Sequence, residues 1–326
     1  MTRESPDAIV TWAPHCNQFS ESVSRQLPNV PVVWYDHSAG QKDTVSPSEK
    51  TRLIANAKLS YTVPDVVAYC SDVARDIHVD EWDYNPENTA IVPVGVDLQY
   101  FRRNDEARNV FREQHGIRLT EPLVGMVARY DHQKDIPAFI KTAAAIAQRY
   151  RQNSLTAPHF LLCGKGCDPG NSELVAMIRE AGLTSHFHLI GVSHHMPSVY
   201  SALDLTVSTS RSESFGLSAV ESMACETPFV GTDVGMFKHI IGDKGLVVPK
   251  RDKNMPVEEW SPEEMANAWQ TILGRYKEAE PDVRQALREQ VVAYDTTQTA
   301  AAFNALIHQQ IQHGKRVSVK PNRGIE

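Results

Sequence analysis

Residues 208–235 read STSRSESFGLSAVESMACETPFVGTDVG and set the architecture of the chain. Apolar residues ending at Ser208 predict a strand, and the polar loop that follows carries Glu213. A helix is predicted from about Phe215, and it must stop before Pro228, whose ring cannot continue a helix. The apolar residues after this proline predict a second short, buried strand. The segment is therefore a strand, loop, helix and strand in succession.

The segment carries two acids, Glu213 in the loop and Glu221 in the helix. Their separation in a helix would be about 12 Å, whereas the carboxylate pairs of glycoside hydrolases lie roughly 5 to 9.5 Å apart, so the spacing disfavours a hydrolase. Two acids at opposite ends of a helix can instead hold two parts of a long, hydroxyl-rich ligand. Gly216 would let that ligand approach the free N–H groups at the helix start. Two solvated surface acids explain the spacing equally well.

The composition excludes several classes of protein. A length of 326 residues with 41% hydrophobic residues suffices for two domains with separate cores. The net charge of -7 argues against nucleic acid as the main partner. No apolar run approaches roughly 18 residues and the N-terminus lacks a signal-peptide pattern, so we expect a cytoplasmic protein. The cysteines form no CxxC pair and the histidines no HExxH pattern, so we expect free thiols and no metal site.

Short apolar runs alternate with helical segments along the chain, which is typical of an α/β fold with parallel sheets covered by helices. We expect a first domain over residues 1–116 and a second over 117–296. A further helix is predicted over 297–312. The basic segment over 313–326 lacks an apolar period, so we expect it to be disordered.

The first domain offers one candidate ligand contact and a boundary signal. His37 follows a buried strand, at the edge where open α/β sheets bind ligands, although hydrogen bonds to the local backbone explain a histidine here equally well. Pro93, Gly95, a charge-dense helix and Gly116 together favour a linker, which is why the boundary is placed there.

Basic residues and glycines follow two strands of the second series. Arg129 and Lys134 share a loop, and a fork of donors beside a compact cation suits a diphosphate, although two basic residues are common on any surface. Gly164 and Gly166 would permit a ligand to approach the backbone closely. They lack the full GxGxxG pattern, so a dinucleotide oxidoreductase is poorly supported.

Residues 123–249 resemble the nucleotide-binding half of the retaining GT-B glycosyltransferases of family 4 type. The resemblance rests on five segments in the family's order and spacing: VGMVARYDHQK, FLLCGKG, FHLIGV, MPSVYSALDLTVSTSRSESFGLSAVESMACETPFVGTDVG and GLVVP. Glu213 and Glu221 fall on the two acids of its E-x7-E signature, and Arg129 and Lys134 fall on its R-x4-K pair. It implies a GT-B fold, in which two Rossmann-like domains face a cleft.

The resemblance also implies a role for each matched residue. Arg129 and Lys134 look like the clamp of the donor diphosphate, Glu221 like the acid that holds the nucleotide ribose, and Glu213 like the acid that faces the donor sugar. His37 resembles the first-domain histidine that points into the cleft. The remaining donor contacts expected from these segments are Gly164, Ser214, Phe215, Gly216 and Leu217, several of them through backbone N–H groups.

The sequence departs from the family pattern at two positions and resembles the family in one further helix. Asp135 follows Lys134 where the family commonly has glycine, and Val94 replaces the usual asparagine of its interdomain PNGVD segment. The helix from Thr297 to Gln312 is similar to the family's C-terminal helix, which returns to the first domain.

The implied function is that of a hexosyltransferase, which moves a sugar with retention from a nucleotide-sugar donor to a glycan, lipid or small-molecule acceptor. Its expected catalytic residues are Glu213, Arg129, Lys134 and His37. No metal or other cofactor is expected, because two fixed cations can stabilise the departing diphosphate. Peripheral contact with the inner face of a membrane stays open.

The chain begins at a point that family members reach only after a first strand and a glycine-rich loop, so we expect an incomplete first domain. A second hypothesis is therefore a catalytically silent nucleotide-sugar-binding subunit that needs a partner chain. A third is a relative of the same fold that carries out phosphorolysis or epimerisation.

Overall fold

A computed structural model describes residues 6–38, 40–42, 44–252, 254–277 and 279–314. The chain divides into two compact units. The first holds the residues up to Gly95 and those from Thr296 onwards, and the second holds Val96–Asp295. All described strand pairings in both units are parallel, as the alternation of strands and helices predicts. Most of the segment expected to be disordered, from residue 315, lies outside the described residues.

The first unit contains one four-stranded sheet in the order β1-β2-β3-β4. Its central strands β2 and β3 are buried along their whole length, which accounts for their nearly unbroken apolar sequences. The elements before the crossing to the second unit are β1 (Ile9–Trp12), α1 (Pro14–Gln26), β2 (Val32–Asp36), α2 (Pro47–Ser60), β3 (Val66–Tyr69), α3 (Asp72–Asp76), a π-helical turn (Ile77–Glu81) and β4 (Thr89–Ile91).

The second unit contains a six-stranded sheet and most of the remaining helices. Its elements are α4 (Asp105–Gln114), β5 (Leu123–Val127), a 3-10 turn (His132–Lys134), α5 (Ile136–Gln152), β6 (His159–Cys163), α6 (Ser172–Glu180), β7 (Phe187–Gly191), α7 (Met196–Ala202), β8 (Leu205–Ser208), α8 (Leu217–Ala224), β9 (Phe229–Thr232), α9 (Phe237–Ile241), β10 (Leu246–Val248), α10 (Glu263–Tyr276), α11 (Pro281–Gln290) and a second 3-10 turn (Val292–Tyr294).

The strand order of the second sheet is β10-β9-β8-β5-β6-β7. The chain runs outward from β5 through β6 and β7, and then continues on the other side of β5 from β8 to β10. The order therefore reverses between β5 and β8. Open parallel sheets bind ligands beyond the carboxyl ends of the strands at such a reversal. The fold thus brings the loops after β5 and β8 to the position where a ligand is expected.

The boundary between the units differs from the expected one at residue 116, because residues 96–116 group with the second unit. Arg112 on α4 is fully buried and donates hydrogen bonds to Asp204 at 2.6 Å and to the Ala202 carbonyl at 2.9 Å. The charge-dense helix that suggested a linker is therefore part of a core. The chain first leaves the first unit between Gly95 and Val96.

The last described helix, α12 (Thr296–Gly314), groups with the first unit. Phe303 on this helix packs against Trp12 and Tyr35, with ring centroids 5.8 and 5.5 Å apart. The Thr299 hydroxyl donates to the Pro93 carbonyl at 3.0 Å. Among the described residues, none of the helices combines the length and the apolar character needed to span a bilayer.

Candidate functional site

The candidate site lies at the carboxyl edge of the second sheet, where two loops follow β5 and β8. We call residues 128–135 the clamp loop and residues 209–216 the Glu213 loop. Both loops belong to the second unit, so their contacts can be followed atom by atom. The clamp loop carries Arg129 and Lys134, and the Glu213 loop carries Glu213.

Arg129 lies at the exposed start of the clamp loop. Its Nε donates to Asp131 Oδ2 at 3.0 Å, and its side chain is 57% exposed. The other oxygen of Asp131 accepts from the backbone N–H of Gln133 at 2.9 Å and so caps the short turn that ends at Lys134. Arg129 therefore keeps much of its guanidinium in contact with solvent.

Lys134 and Glu213 form an ion pair that joins the two loops. Lys134 Nζ lies 2.5 Å from Glu213 Oε1, and the two side chains are 18% and 15% exposed. The Ser210 hydroxyl donates to the same carboxylate oxygen at 2.8 Å. Two donors thus hold the Glu213 carboxylate in place.

Glu221 occupies a more enclosed position on α8. Its Oε2 accepts a hydrogen bond from the Tyr200 hydroxyl at 2.6 Å. Burial raises the pKa of Glu221, and the hydrogen bond from Tyr200 opposes that rise. Burial, together with the neighbouring Glu221 carboxylate, also raises the pKa of the Tyr200 hydroxyl well above its ordinary value. Tyr200 is therefore a donor to Glu221.

The start of α8 presents unpaired backbone donors. The helix begins at Leu217, two residues later than predicted, because Gly216 has a left-handed backbone that cannot be part of a right-handed helix. Phe215 is buried and packs edge-on against Tyr294 with ring centroids 5.3 Å apart. Gly216 caps the helix at φ 117°. Across the described residues, the N–H groups of Phe215, Gly216 and Leu217 have no hydrogen-bond acceptor. Successive free N–H groups at a helix start favour an anion or hydroxyl group of a ligand.

Two glycines hold the loops close together. Gly164, after β6, has φ +146°, and an added Cβ would lie 2.1 Å from the Ala128 carbonyl oxygen in the clamp loop. Gly235 has φ +54°, and an added Cβ would lie 2.8 Å from Glu213 Cβ. Packing of backbone on backbone thus requires a glycine at position 164, whether or not a ligand also approaches it. Gly235, which the sequence did not indicate, lies against Glu213.

His37 alone among the predicted site residues belongs to the first unit. It follows β2, and its ring lies 6.3 Å from the rings of Tyr35 and Trp12. Burial and the neighbouring His15 lower the pKa of His37, which favours the neutral ring near pH 7. The structure therefore groups His37 with aromatic residues of its own sheet edge.

Sequence reasoning missed several partners of the predicted residues. Ser210 and Tyr200 hold the two acids, and both lie within the segments that carry the family resemblance. Asp135, Arg211 and Arg251 form a buried charged group beside Lys134. No local pattern indicates the last of these, because Arg251 lies 116 residues from Asp135 in sequence. In the part of the chain that the structure describes, no three His, Cys, Asp or Glu side chains are arranged to hold a metal ion.

Comparison with known proteins identifies similar sequences and similar folds. The family described as glycosyl transferases group 1 matches residues 107–273. D-inositol 3-phosphate glycosyltransferase of Salinispora tropica is 29% identical over 242 residues, which cover 70% of this chain and 47% of the relative. 2-Deoxystreptamine N-acetyl-D-glucosaminyltransferase of Streptomyces fradiae is 34% identical over 141 residues, which cover 42% of this chain and 32% of the relative. The chain spans about half the length of the first curated relatives it matches.

Solved structures with the GT-B fold superpose on most of the chain. Sucrose-phosphate synthase from Thermosynechococcus elongatus has a TM-score of 0.75 at 24% identity and covers 94% of this chain and 74% of its own. HepE of Anabaena in complex with UDP has a TM-score of 0.73 at 16% identity and covers 92% of this chain and 79% of its own. The fold is therefore α/β of the GT-B type, with two Rossmann-like units.

Proposed function

The chain belongs to the glycosyl transferases group 1 family, and on this premise we propose that it is a glycosyltransferase that moves a sugar from a nucleotide-sugar donor to an acceptor. We further propose that transfer retains the anomeric configuration, as the resemblance to the family 4 type implies.

One observation carries the proposal. Lys134 and Glu213, which are 79 residues apart in sequence, meet at 2.5 Å at the point where the strand order of the second sheet reverses. A cation and a carboxylate at this edge supply the two charges that a nucleotide sugar needs, one for its phosphates and one for its hydroxyls. The free N–H groups at the start of α8 add neutral donors beside them.

The proposed roles follow from position and charge. Arg129 and Lys134 neutralise the donor diphosphate, for which the exposed guanidinium and the ammonium are suited. Glu221, held by Tyr200, accepts from the ribose hydroxyls. Glu213 orients the donor sugar. The neighbouring backbone and small residues assigned to donor binding are Gly164, Ser214, Phe215, Gly216 and Leu217.

The chemistry places opposite charges at two points of the donor. As the bond to the diphosphate breaks, negative charge grows on the phosphate oxygens and positive charge grows at the anomeric carbon. Arg129 and Lys134 stabilise the first, and the Glu213 carboxylate stabilises the second. The acceptor attacks from the face that the diphosphate leaves, and the departing phosphate takes the acceptor proton. We include His37, from the first unit, among the proposed catalytic residues. The proposal requires no metal ion.

The donor and acceptor classes are also part of the proposal. HepE of Anabaena has been solved with UDP and with UDP-glucose, which supports UDP-sugars as the first donors to test. Two relatives are named for D-inositol 3-phosphate and 2-deoxystreptamine, so these compounds open the acceptor panel. Glycan and lipid-linked acceptors follow, the latter with peripheral contact at a membrane from the cytoplasmic side.

The test measures donor binding and turnover separately. Titration calorimetry with UDP, GDP and ADP should detect one binding site, and Lys134→Ala should weaken affinity by about ten- to a hundredfold, because a charge-assisted contact to phosphate is lost. Lys58→Ala is the matched control, since Lys58 is exposed on α2 in the other unit. Release of nucleoside diphosphate from the corresponding sugars then reports turnover.

The two measurements separate the competing functions. Failure of all three nucleotides to bind would overturn the donor-site proposal. Binding without any turnover over the full acceptor panel would favour a silent nucleotide-sugar-binding subunit. Turnover that survives the combination of Lys134→Ala with Glu213→Ala would remove these residues from the catalytic machinery.

A further inference from the structure

A buried charged group lies at the end of the clamp loop. Asp135 is 2% exposed, and its carboxylate contacts two arginines that are themselves buried. Arg251 binds it through two bonds, Nη2 to Oδ1 at 2.7 Å and Nε to Oδ2 at 2.9 Å. Arg211 Nε donates to Oδ2 at 3.1 Å. We call Asp135, Arg211 and Arg251 the triad.

Asp135 also has an unusual backbone conformation for a residue that carries a side chain. Its φ and ψ are both 49°, in the left-handed region. Aspartate tolerates that region better than most residues, although glycine adopts it without cost. Because glycine would suit this backbone better, the carboxylate must have a use of its own, and the triad supplies it.

The triad joins three loops of the same sheet edge. Asp135 ends the clamp loop, Arg211 belongs to the Glu213 loop, and Arg251 follows β10. The backbone N–H of Arg211 donates to the Gln133 carbonyl at 2.7 Å, and Arg211 Nη1 lies 3.0 Å from His132 Nε2. The guanidinium of Arg211 therefore contacts His132 at the start of the turn that carries Lys134 and Asp135 just after its end.

Lys134 itself is fixed through its own backbone. The Thr209 hydroxyl lies 3.2 Å from the Lys134 carbonyl oxygen and 2.9 Å from that of Asp135. Lys134 thus lies between Gln133, whose carbonyl accepts from the Arg211 backbone, and Asp135, whose carboxylate binds both arginines. Any rotation of the clamp loop that moved the Lys134 ammonium would break contacts of the triad.

Buried ion pairs rarely add stability over apolar side chains of similar size, but they impose one geometry on the groups they join. The triad contains two cations and one anion, so it also leaves one excess positive charge at the end of the clamp loop. A positive potential there favours an anionic ligand at Lys134 and Arg129. Geometry and charge both point from the triad to the diphosphate end of the site.

We propose that the triad positions Lys134 for the donor diphosphate, with Asp135 as the residue that fixes both arginines. This role rests on the proposed function, because it presumes that Lys134 binds phosphate. Asp135, Arg211 and Arg251 are positioning residues, since they act through the clamp loop and do not touch the donor.

The test is a double-mutant cycle on UDP affinity, with GDP or ADP used instead if the wild type prefers it. Asp135→Asn keeps the tolerance for the left-handed backbone and removes the charge, and it should weaken UDP binding by about tenfold. In the Lys134→Ala background the same change should have almost no further effect, because the residue through which it acts is gone. Affinity for uridine, which has no phosphate, should be unchanged in both.

Two further variants keep the test decisive if Asp135→Asn folds poorly. Arg251→Lys keeps the charge but loses the paired hydrogen bonds, and it should weaken UDP binding by a smaller factor, about threefold. Asp83→Asn is the matched control, because Asp83 is also left-handed, at φ 66°, but exposed. It should change neither UDP nor uridine affinity.

The outcomes are distinct. A wild type that binds no nucleoside diphosphate overturns the proposed function, and the role of the triad with it. A wild type that binds UDP through Lys134 but is indifferent to Asp135→Asn overturns the triad alone. Additive losses in the double variant, or an equal loss of uridine affinity, would mean that Asp135 supports the fold in general and does not position Lys134.

Discussion

The second unit carries two charged clusters at opposite edges of one sheet, and both involve an acid that flanks β8. At the amino edge, Asp204 precedes the strand and pairs with Arg108 at 2.7 Å and Arg112 at 2.6 Å. At the carboxyl edge, Glu213 follows the strand and pairs with Lys134 at 2.5 Å. Each cluster thus pairs a carboxylate beside β8 with at least one cation, and in this respect the two are alike.

Their hydrogen bonding separates them. Arg112 is fully buried, and besides Asp204 it donates to three carbonyl groups, those of Ala202, Arg118 and Glu121. Within the described part of the chain, the Lys134 ammonium has three N–H donors but reaches only Glu213. Arg112 thus uses four of its five N–H donors inside the protein. A cluster whose donors are mostly used internally serves the fold, whereas one with donors left over at a partly open edge can bind a ligand. This contrast predicts opposite responses to mutation.

The largest effect on stability should come from the amino edge. Arg112→Met leaves Asp204 with Arg108 and the Leu123 N–H, but it removes a buried charge-assisted bond to Asp204 and the donor to the Glu121 carbonyl. The Ala202 and Arg118 carbonyls each lose one of two donors. The free energy of unfolding should therefore fall by about 3 kcal/mol. Urea denaturation measures the loss, and UDP affinity of the folded protein should be unchanged.

The matched control at that edge is Arg118→Met, because the Arg118 guanidinium is 74% exposed and pairs with Glu121 at the surface. Its effect on unfolding should be far smaller. If both changes cost the same, the buried cluster is not what ties α4 to the second unit.

At the carboxyl edge the effect should fall on turnover. Glu213→Gln keeps the shape and the bond from Ser210 but removes the charge that we propose to stabilise the anomeric carbon, so turnover should drop by roughly 10²- to 10³-fold. Initial rates of nucleoside diphosphate release measure it, and urea denaturation should show little change. Glu180→Gln, at an exposed position on α6, is the control. A turnover within about threefold of wild type would argue against the electrostatic role.

The contrast also explains what could be predicted from sequence. The strands, helices and functional loops follow from apolar periodicity and from the family resemblance, both of which are local. The compact units divide at Gly95 and not at the expected Gly116, because a charged helix with a terminal glycine looks like a linker until the partner of Arg112 is known. That partner, Asp204, is 92 residues away. Burial of a charge depends on strand order, which no local pattern contains.

The pair of Lys134 with Glu213 shows the same limit. The sequence predicts both as site residues, but their contact depends on the pairing of β5 with β8. Gly164 was interpreted as a place for close approach of a ligand. The structure adds a second reason for a glycine here, because β6 is a neighbour of β5 and the Ala128 carbonyl lies where a Cβ of residue 164 would be.

A pair of glycines tests that packing explanation with a smaller expected effect. Gly164→Ala should cost about 2 to 3 kcal/mol of unfolding free energy, because it combines a left-handed backbone with a Cβ that meets the Ala128 carbonyl. Gly182→Ala should cost about 1 kcal/mol, because Gly182 has φ +68° but open space around its Cβ position. Urea denaturation of both variants gives the difference. Equal costs would show that the backbone relaxes around Gly164, and its glycine would then need a ligand-based explanation.

The smallest effect concerns Glu221 and pH, and its sign separates the two kinds of role. Burial raises the pKa of Glu221, so as pH falls toward the pKa of an ordinary glutamate the folded protein takes up this proton before the unfolded chain does. Proton uptake by the folded state means that the contribution of Glu221 to stability improves on acidification. Ribose hydroxyls, however, bind a carboxylate more strongly than a carboxylic acid, so UDP affinity should fall over the same range, by about two- to fivefold.

Glu221→Gln separates these effects from the titration of UDP itself, which is common to both proteins. The variant keeps an oxygen that can accept from Tyr200, so its UDP affinity at pH 7.5 should be lower and its remaining pH dependence flatter than that of the wild type. Calorimetry at several pH values, with urea denaturation in parallel, measures both quantities. In the wild type, UDP affinity should fall and stability should improve as pH falls, and both trends should disappear in Glu221→Gln. That combination is expected only if one carboxylate is both buried by the fold and used by the ligand. If Glu221→Gln changes only the pH dependence of stability, Glu221 has a structural role, like that of Arg112 at the amino edge.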